Sequence, residues 1–159
     1  MSLICPVCFW EDDAFVGNAL HVFSDCNKMT LATGRANFAK IGACDSEMLQ
    51  HVLPAQERER FERRPLDATD PRPPRESCLC CGFVTLPERG QGLTCPVCLW
   101  NDDERVGDAL HVYSLFNRTT LAGARASFAA MGACRATALP RVLDAQERER
   151  FERRPLAPG

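Results

Sequence analysis

The chain has 159 residues, of which 45% are hydrophobic, enough for one substantial core or two small ones. Its 19 Lys and Arg residues stand against 21 Asp and Glu, a balance that gives no support to a dedicated nucleic-acid binder. The sequence has no run of eighteen apolar residues and no signal-peptide pattern at its N-terminus, which predicts a cytoplasmic protein without a membrane span. We therefore expect its ten cysteines to be thiols or metal ligands, not disulfides.

A tandem duplication organises the chain. Residues 3–66 align without a gap with residues 93–156, and 41 of these 64 positions are identical. This predicts an α+β fold of two similar small domains, residues 1–66 and 78–159. Residues 67–77 between them, DATDPRPPRES, are rich in proline and predict an extended linker. Residues 78–92 have no counterpart before Leu3, so either the gene begins there or its true start lies upstream of Met1.

Cys5 and Cys8 form a C-x-x-C pair with no partner pair before it. Three interpretations stay open: the pair recruits Cys78 and Cys81, it binds metal with Cys26, Cys44, His21 or another subunit, or it binds nothing. Recruitment closes a loop of about seventy residues in place of about thirteen, which costs roughly 1.5 kcal/mol more. We favour the third interpretation, a vestigial pair in a copy stabilised by packing against the other copy or a protein partner.

A helix is predicted in the middle of each copy. Thr30 and Thr120 are good N-caps, and the apolar residues that follow each threonine have helical spacing. In the first copy the pattern ends at Gly42, a typical helix stop. We expect an amphipathic helix over 31–41 and its equivalent in the second copy.

The segment AQERERFERRP closes each copy, at residues 55–65 and 145–155. Its alternating charges predict a solvated helix in which Glu59 meets Arg63 and Arg58 meets Glu62, each pair contributing a few tenths of a kcal/mol. Phe61 or Phe151 would be the buried residue of this helix. The alternative is an interaction helix whose charges select a partner.

The second copy contains two C-x-x-C pairs, Cys78/Cys81 and Cys95/Cys98, separated by thirteen residues. We call residues 78–82 the first knuckle and residues 95–99 the second knuckle. GFVTL, PERGQG and LTC between them read as strand, turn and strand, which would bring the pairs together around one tetrahedral zinc ion. Four thiolates fill the coordination sphere and describe a structural ion, one per chain. A redox C-x-x-C pair is the competing interpretation.

The other reactive side chains have structural interpretations. Cys80 is a spare thiol or an alternate ligand, Cys44 and Cys134 are expected to be small buried hydrophobes, and the match of Cys26 with Phe116 indicates an apolar environment. His21 and His111 are expected as hydrogen-bonded members of strands. The acidic pairs after the second knuckle and its copy can form turns and caps as readily as acid–base sites: Asp12, Asp13, Asp102 and Asp103.

CLCCGFVTL, TCPVCLWNDD and TLAGARASFAAMGAC occur in this order at residues 78–86, 94–103 and 120–134. Together they resemble the bacterial cysteine-rich CPCC domain family, over about residues 78–140 and, in truncated form, 3–50. Leu79 and Asn101 depart from the family pattern, which has proline and glutamate there. The resemblance implies small zinc-ribbon-like domains, with β-hairpin knuckles followed by helices, in cytoplasmic bacterial proteins of unassigned activity.

Members of this family often lie near toxin genes, so the resemblance also implies an immunity protein that neutralises a toxin by binding it. The sequence shows no nucleophile with an evident base and no glycine-rich phosphate loop, so we do not expect an enzyme. The alternatives are a zinc-ribbon regulator that binds nucleic acid and a metal- or thiol-dependent enzyme. Nucleic acid and membranes are not the expected partners.

The first copy is the more acidic half. Residues 3–66 hold 7 basic and 9 acidic side chains, whereas residues 78–156 hold 10 and 9. An acidic patch on the first copy could contact the basic active site of a toxin. The candidate partner-binding residues are Glu11, Asp12, Asp13, Asp25, Asp45 and Glu47.

Overall fold

The computed structural model describes residues 3–157, which form two compact units. Among these residues, the first unit contains 3–20 and Ser24–Pro71, and the second contains His21–Phe23 and 72–157. Both are small mixed α/β structures in which short paired strands and short helices recur at matching positions. No helix within residues 3–157 has the length and apolarity needed to cross a bilayer.

The strands are two or three residues long and the helices are short. The first repeat contains β1 (Phe23–Ser24), β2 (Met29–Thr30), α1 (Leu31–Ile41), a 3-10 helix (Ser46–His51) and α2 (Ala55–Arg58). Residues 72–157 contain β3 (Glu76–Ser77), β4 (Val84–Leu86), β5 (Tyr113–Ser114), β6 (Thr119–Thr120), α3 (Leu121–Met131), a 3-10 helix (Ala136–Arg141) and α4 (Ala145–Arg148). β1 pairs with β2, β3 with β4, and β5 with β6.

The predicted central helices are confirmed. The Thr30 hydroxyl accepts a hydrogen bond from the Thr33 N–H at the start of α1, and Gly42 ends the helix in the left-handed conformation at φ 78°. α3 repeats both caps with Thr120 and with Gly132 at φ 80°. The caps are local features of sequence, which is why the boundaries could be predicted.

The prediction of a charged closing helix is wrong beyond its first turn. α2 ends at Arg58 and α4 at Arg148, and neither Glu59–Arg63 nor Arg58–Glu62 is an ion pair in the described structure. In the second repeat the following residues form backbone hydrogen bonds with β4 and the first knuckle, which a continued helix would prevent. Tertiary pairing therefore overrides the helical charge pattern.

The predicted hairpin between β4 and residues 93–95 is also different in the structure. β4 pairs with β3, so that Glu76 lies opposite Leu86. Thr94 instead lies opposite Asn101, on the far side of the second knuckle. Each knuckle is thus closed by its own short antiparallel pair.

Both histidines precede strands instead of lying in them. His111 is exposed in the turn before β5, and His21 lies in a bend before β1. The expectation that they are strand members is wrong, because β1 and β5 are only two residues long.

A fully buried asparagine holds the second knuckle to the turn before α3. The Asn117 side chain accepts a hydrogen bond from the Asn101 N–H at 2.7 Å and donates to the Asn101 carbonyl at 2.9 Å. It also donates to the hydroxyl of Ser114 at 2.9 Å. Asn27 makes the same set of bonds in the first repeat, to Glu11 and Ser24.

We predict that Asn117→Ala destabilises the second domain by about 2 kcal/mol, because it removes both partners of the Asn101 backbone. Urea unfolding in a Trp10→Phe background, where Trp100 alone reports, measures this loss. The exposed change Asp108→Ala is the control and should leave the midpoint within experimental error. An Asn117→Ala midpoint equal to that of the control would contradict the prediction.

Candidate metal centre

β3 and β4 position the first knuckle. The Cys78 N–H donates to the Phe83 carbonyl at 2.8 Å, and the Gly82 N–H donates back to the Cys78 carbonyl at 2.9 Å. Gly82 has φ 80°, and a Cβ at this position would collide with the Arg154 carbonyl. Glycine is therefore required both by the backbone conformation and by the close approach of the C-terminal segment.

The second knuckle has the same local geometry. The Cys95 N–H donates to the Trp100 carbonyl at 2.9 Å, and the Leu99 N–H donates to the Cys95 carbonyl at 2.8 Å. Leu99 adopts a left-handed backbone conformation, with φ 59°. Trp100 directly behind the knuckle is 1% exposed, so the turn is held by a large buried side chain.

The two knuckles bring four thiols into one cluster. Sγ atoms of Cys78, Cys81, Cys95 and Cys98 all lie within 4.8 Å of one another, and all four residues are fully buried. The Cys78–Cys98 and Cys81–Cys95 sulfur separations are 3.6 and 3.7 Å. A zinc ion with Zn–S bonds of about 2.3 Å needs sulfurs about 3.8 Å apart. The cluster therefore fits a tetrahedral metal ion.

The cluster contains a hydroxyl donor that sequence reasoning missed. Thr85 in β4 donates a hydrogen bond from its Oγ1 to the Cys95 sulfur at 3.1 Å. Burial disfavours a charge on Cys95, but hydrogen bonds from the other three thiols and Thr85 hold its pKa well below the ordinary value. Burial raises the pKa of Cys78 and Cys98. A threonine among apolar strand residues carries no sequence signal for this role.

Asp102 is a buried anion tied to the turn after β4. Its carboxylate accepts a hydrogen bond from the Gly90 N–H and forms an ion pair with the Arg89 guanidinium at 2.6 Å. Asp103 accepts a hydrogen bond from the Ser114 hydroxyl at 2.7 Å. Both carboxylates thus bind elements of the fold, in agreement with their interpretation as turn and cap residues.

Cys5 and Cys8 lie in the first repeat at the positions of Cys95 and Cys98. Both are half-buried, and in the described structure neither belongs to a group of three or more ligands close enough to hold a metal ion. Burial, together with the neighbouring Cys5 and Cys44 sulfurs, raises the pKa of Cys8 to about 11. Cys78 and Cys81 face Cys95 and Cys98.

The remaining cysteines lie outside the cluster. Cys44, Cys80 and Cys134 are buried, and burial raises the pKa of Cys134 to about 12. Cys26 is exposed, as is Phe116 at the matching position, so the expected apolar environment is not present.

The predicted acidic residues of the first repeat divide into two groups. Asp13 accepts hydrogen bonds from the Ser24 hydroxyl and the Phe15 N–H, and Asp45 caps the 3-10 helix. The Glu11 backbone is held by Asn27. Asp12, Asp25 and Glu47 are exposed.

The family model described as Cysteine-rich CPCC matches residues 2–59 and 76–149. The chain belongs to this family. The two matched segments overlap the two repeats over most of their length, so the cysteine-rich CPCC sequence occurs here in tandem. No curated protein and no solved structure matches the chain.

We predict that Cys78→Ser reduces bound metal from about one ion per chain to background, since three thiolates hold a structural ion far less tightly than four. Metal analysis by mass spectrometry after gel filtration measures this. Cys80→Ala is the matched control, because Cys80 lies in the same knuckle and is equally buried but outside the cluster. Retention of metal by Cys78→Ser, or its loss from Cys80→Ala, would show that the ligand set is wrong.

We predict that Thr85→Val weakens zinc affinity roughly 10- to 100-fold, the usual effect of removing a partner of a metal ligand. The substitution preserves shape and removes only the donor to the Cys95 sulfur. Competition with a chromophoric chelator measures the affinity. Thr94→Val is the control. The Thr94 hydroxyl accepts a hydrogen bond from the Asn101 side chain and, in the described structure, makes none to the four thiols, so this variant should bind zinc as the wild type does.

Proposed function

We propose that this tandem CPCC chain is a non-enzymatic protein-binding module of the bacterial cytoplasm, most specifically an immunity protein that neutralises a toxin by direct binding. In this proposal the second domain holds one structural zinc ion between zinc-ribbon-like knuckles. The observation that carries it is the closed four-thiol cluster, in which every ligand is fully buried. Such a site leaves no open position for a substrate or an activated water.

The carboxylates beside the cluster support a structural interpretation. Asp102 is 3% exposed and is already bound by Arg89, and Asp103 is bound by Ser114. A general acid or base must reach the proton that it transfers. Carboxylates held in this way stabilise the fold and do not favour an enzyme.

The binding surface that we propose lies on the first domain. Asp12, Asp25 and Glu47 expose their carboxylates to solvent there. Exposed acidic groups attract a basic protein surface and raise the rate of association. The active sites of toxins that act on nucleic acid are basic because they bind phosphates, so such a toxin suits this surface.

We predict that the chain restores growth of cells that express the toxin encoded beside it, and that Asp12→Asn/Asp25→Asn/Glu47→Gln weakens this protection. Growth and the affinity of the purified pair are the two measurements. Glu104→Gln/Asp108→Asn, which removes exposed acids of the second domain, is the matched control and should protect fully. The proposal fails if cells that lack the gene tolerate the neighbouring product.

A further inference from the structure

A groove of about 540 Å³ opens in the first unit. Its walls include Cys5 and Cys8, Asp12 after them, Arg35 and Phe38 of α1, and residues 61–64 and Leu66 at the end of the first repeat. Each of these positions has a counterpart ninety residues later. In the second unit the counterparts contact the knuckle hairpin, which we define as residues 76–92: β3, the first knuckle, β4 and the turn that follows.

Cys5 and Cys8, which line the groove, correspond to Cys95 and Cys98 of the second knuckle. Cys95 and Cys98 lie 3.7 and 3.6 Å from the sulfurs of Cys81 and Cys78 on the knuckle hairpin. Cys5 and Cys8 repeat their backbone geometry: the Phe9 N–H donates to the Cys5 carbonyl at 2.8 Å, and Phe9 has φ 65°. The first unit therefore presents a formed half-site.

The side of α1 that lines the groove corresponds to the side of α3 that contacts the hairpin in the second unit. Arg125 donates from Nε to the Leu79 carbonyl at 2.9 Å and from Nη1 to the Ala157 carbonyl at 3.0 Å. Arg35 retains the second bond, from Nη1 to the Asp67 carbonyl at 2.7 Å, and Arg35 also lines the groove. Phe128 packs edge-on against Phe83 of the hairpin, and its counterpart Phe38 also lines the groove.

The closing segment offers a strand edge to the groove. In the second unit the Arg154 N–H donates to the Gly82 carbonyl, and the Val84 N–H donates to the Glu152 carbonyl, both at 2.8 Å. Residues 62–64 have the same sequence, ERR, as residues 152–154. Within residues 3–157 the backbone of 62–64 makes no hydrogen bond, and Leu66 beside it is 65% exposed.

The charged side chains of the two units also correspond. Asp102 is buried by its ion pair with Arg89, which the knuckle hairpin supplies. Its counterpart Asp12 is exposed and lines the groove. An occupant that carried an arginine in the corresponding turn would neutralise this carboxylate.

We propose that the groove of the first unit receives a cysteine knuckle hairpin from a partner protein, which adds a strand to residues 62–64 and completes a second four-thiolate zinc site with Cys5 and Cys8. The occupant has the chemistry C-x-x-C-G-aromatic, followed by a strand and an arginine that reaches Asp12. The hairpin at residues 76–92 is not free for the purpose, because its cysteines already face Cys95 and Cys98. The site does not depend on whether the partner is a toxin.

Binding of the hairpin and of zinc is coupled. Two thiolates supply half of a tetrahedral site, and the hairpin supplies the other half together with backbone hydrogen bonds to the strand edge. Each ligand therefore raises the affinity for the other by the same factor. The groove is expected to bind the hairpin tightly only when zinc is present.

The test adds a synthetic peptide of residues 75–92, RESCLCCGFVTLPERGQG, to the 159-residue protein in the presence of zinc. We expect bound zinc to rise from about one to about two ions per chain, as four-thiolate coordination requires. With cobalt in place of zinc, the second ion should show the sulfur charge-transfer bands of a tetrahedral four-thiolate site.

Two variants locate the second site. Cys5→Ser/Cys8→Ser should abolish the second ion and leave the first in place. Asp12→Ala should weaken the binding of the wild-type peptide but not that of a peptide with Arg89→Gln, which has lost the same pair. A peptide with both C-x-x-C cysteines replaced by serine should bind no second ion.

Three results would overturn the proposal. Failure of the peptide to add a second ion would show that the groove is not a receptor for this hairpin. Persistence of the second ion in Cys5→Ser/Cys8→Ser would place it elsewhere. A second ion bound without peptide by a dimer of the chain would show that two Cys5/Cys8 pairs share one metal. All of these measurements are made without a toxin, so they are independent of the growth assay.

Discussion

The contact between two short knuckles through four sulfur atoms is the constraint on which the second domain depends. The strands of this domain are two or three residues long, too short to form a stable sheet by themselves. The thiol cluster holds β3 and β4 against the second knuckle. Residues 152–154 form backbone hydrogen bonds with Gly82 and Val84 of the same hairpin. In the proposed zinc-bound form, metal binding is coupled to folding and contributes to the stability of a domain with this little regular structure.

The first repeat shows which features survive when half of the cluster is missing. Both caps of α1, the hydrogen bonds of Asn27 and the turn after Cys5 are all present. Side chains near the hairpin in the second unit have more exposed counterparts in the first. Trp10 is only half-buried whereas Trp100 is 1% exposed, and Asp12 is exposed whereas Asp102 is 3% exposed. Local sequence thus determines the turns and helices, and the hairpin determines how they are covered.

The same division explains what could be predicted from the sequence. The central helices were predictable because a threonine cap and a glycine stop act within one turn, and the four-thiol cluster because C-x-x-C spacing is a local requirement of metal geometry. Thr85 and Arg89 could not be predicted, because neither residue belongs to a spacing pattern that indicates its partner, Cys95 or Asp102. The helix prediction for the charged closing segment was wrong because of a tertiary contact. Its charge pattern favours a helix, but its backbone is used for strand pairing in the second unit.

In our proposal the first unit forms a receptor from residues that it shares with the second unit. The second unit demonstrates that a surface of this sequence binds a knuckle hairpin, since 41 of 64 positions are shared, including the thiols, the helix arginine and the closing segment. In that unit the hairpin is covalently attached, so its effective concentration is high and the site is permanently filled. In the first unit the proposed occupant is a separate molecule, which must meet the same chemical requirements: two thiols, a glycine turn and an arginine. Recognition through metal thiolates is more restrictive than an apolar groove alone, because a hairpin that lacks either cysteine leaves the coordination sphere incomplete.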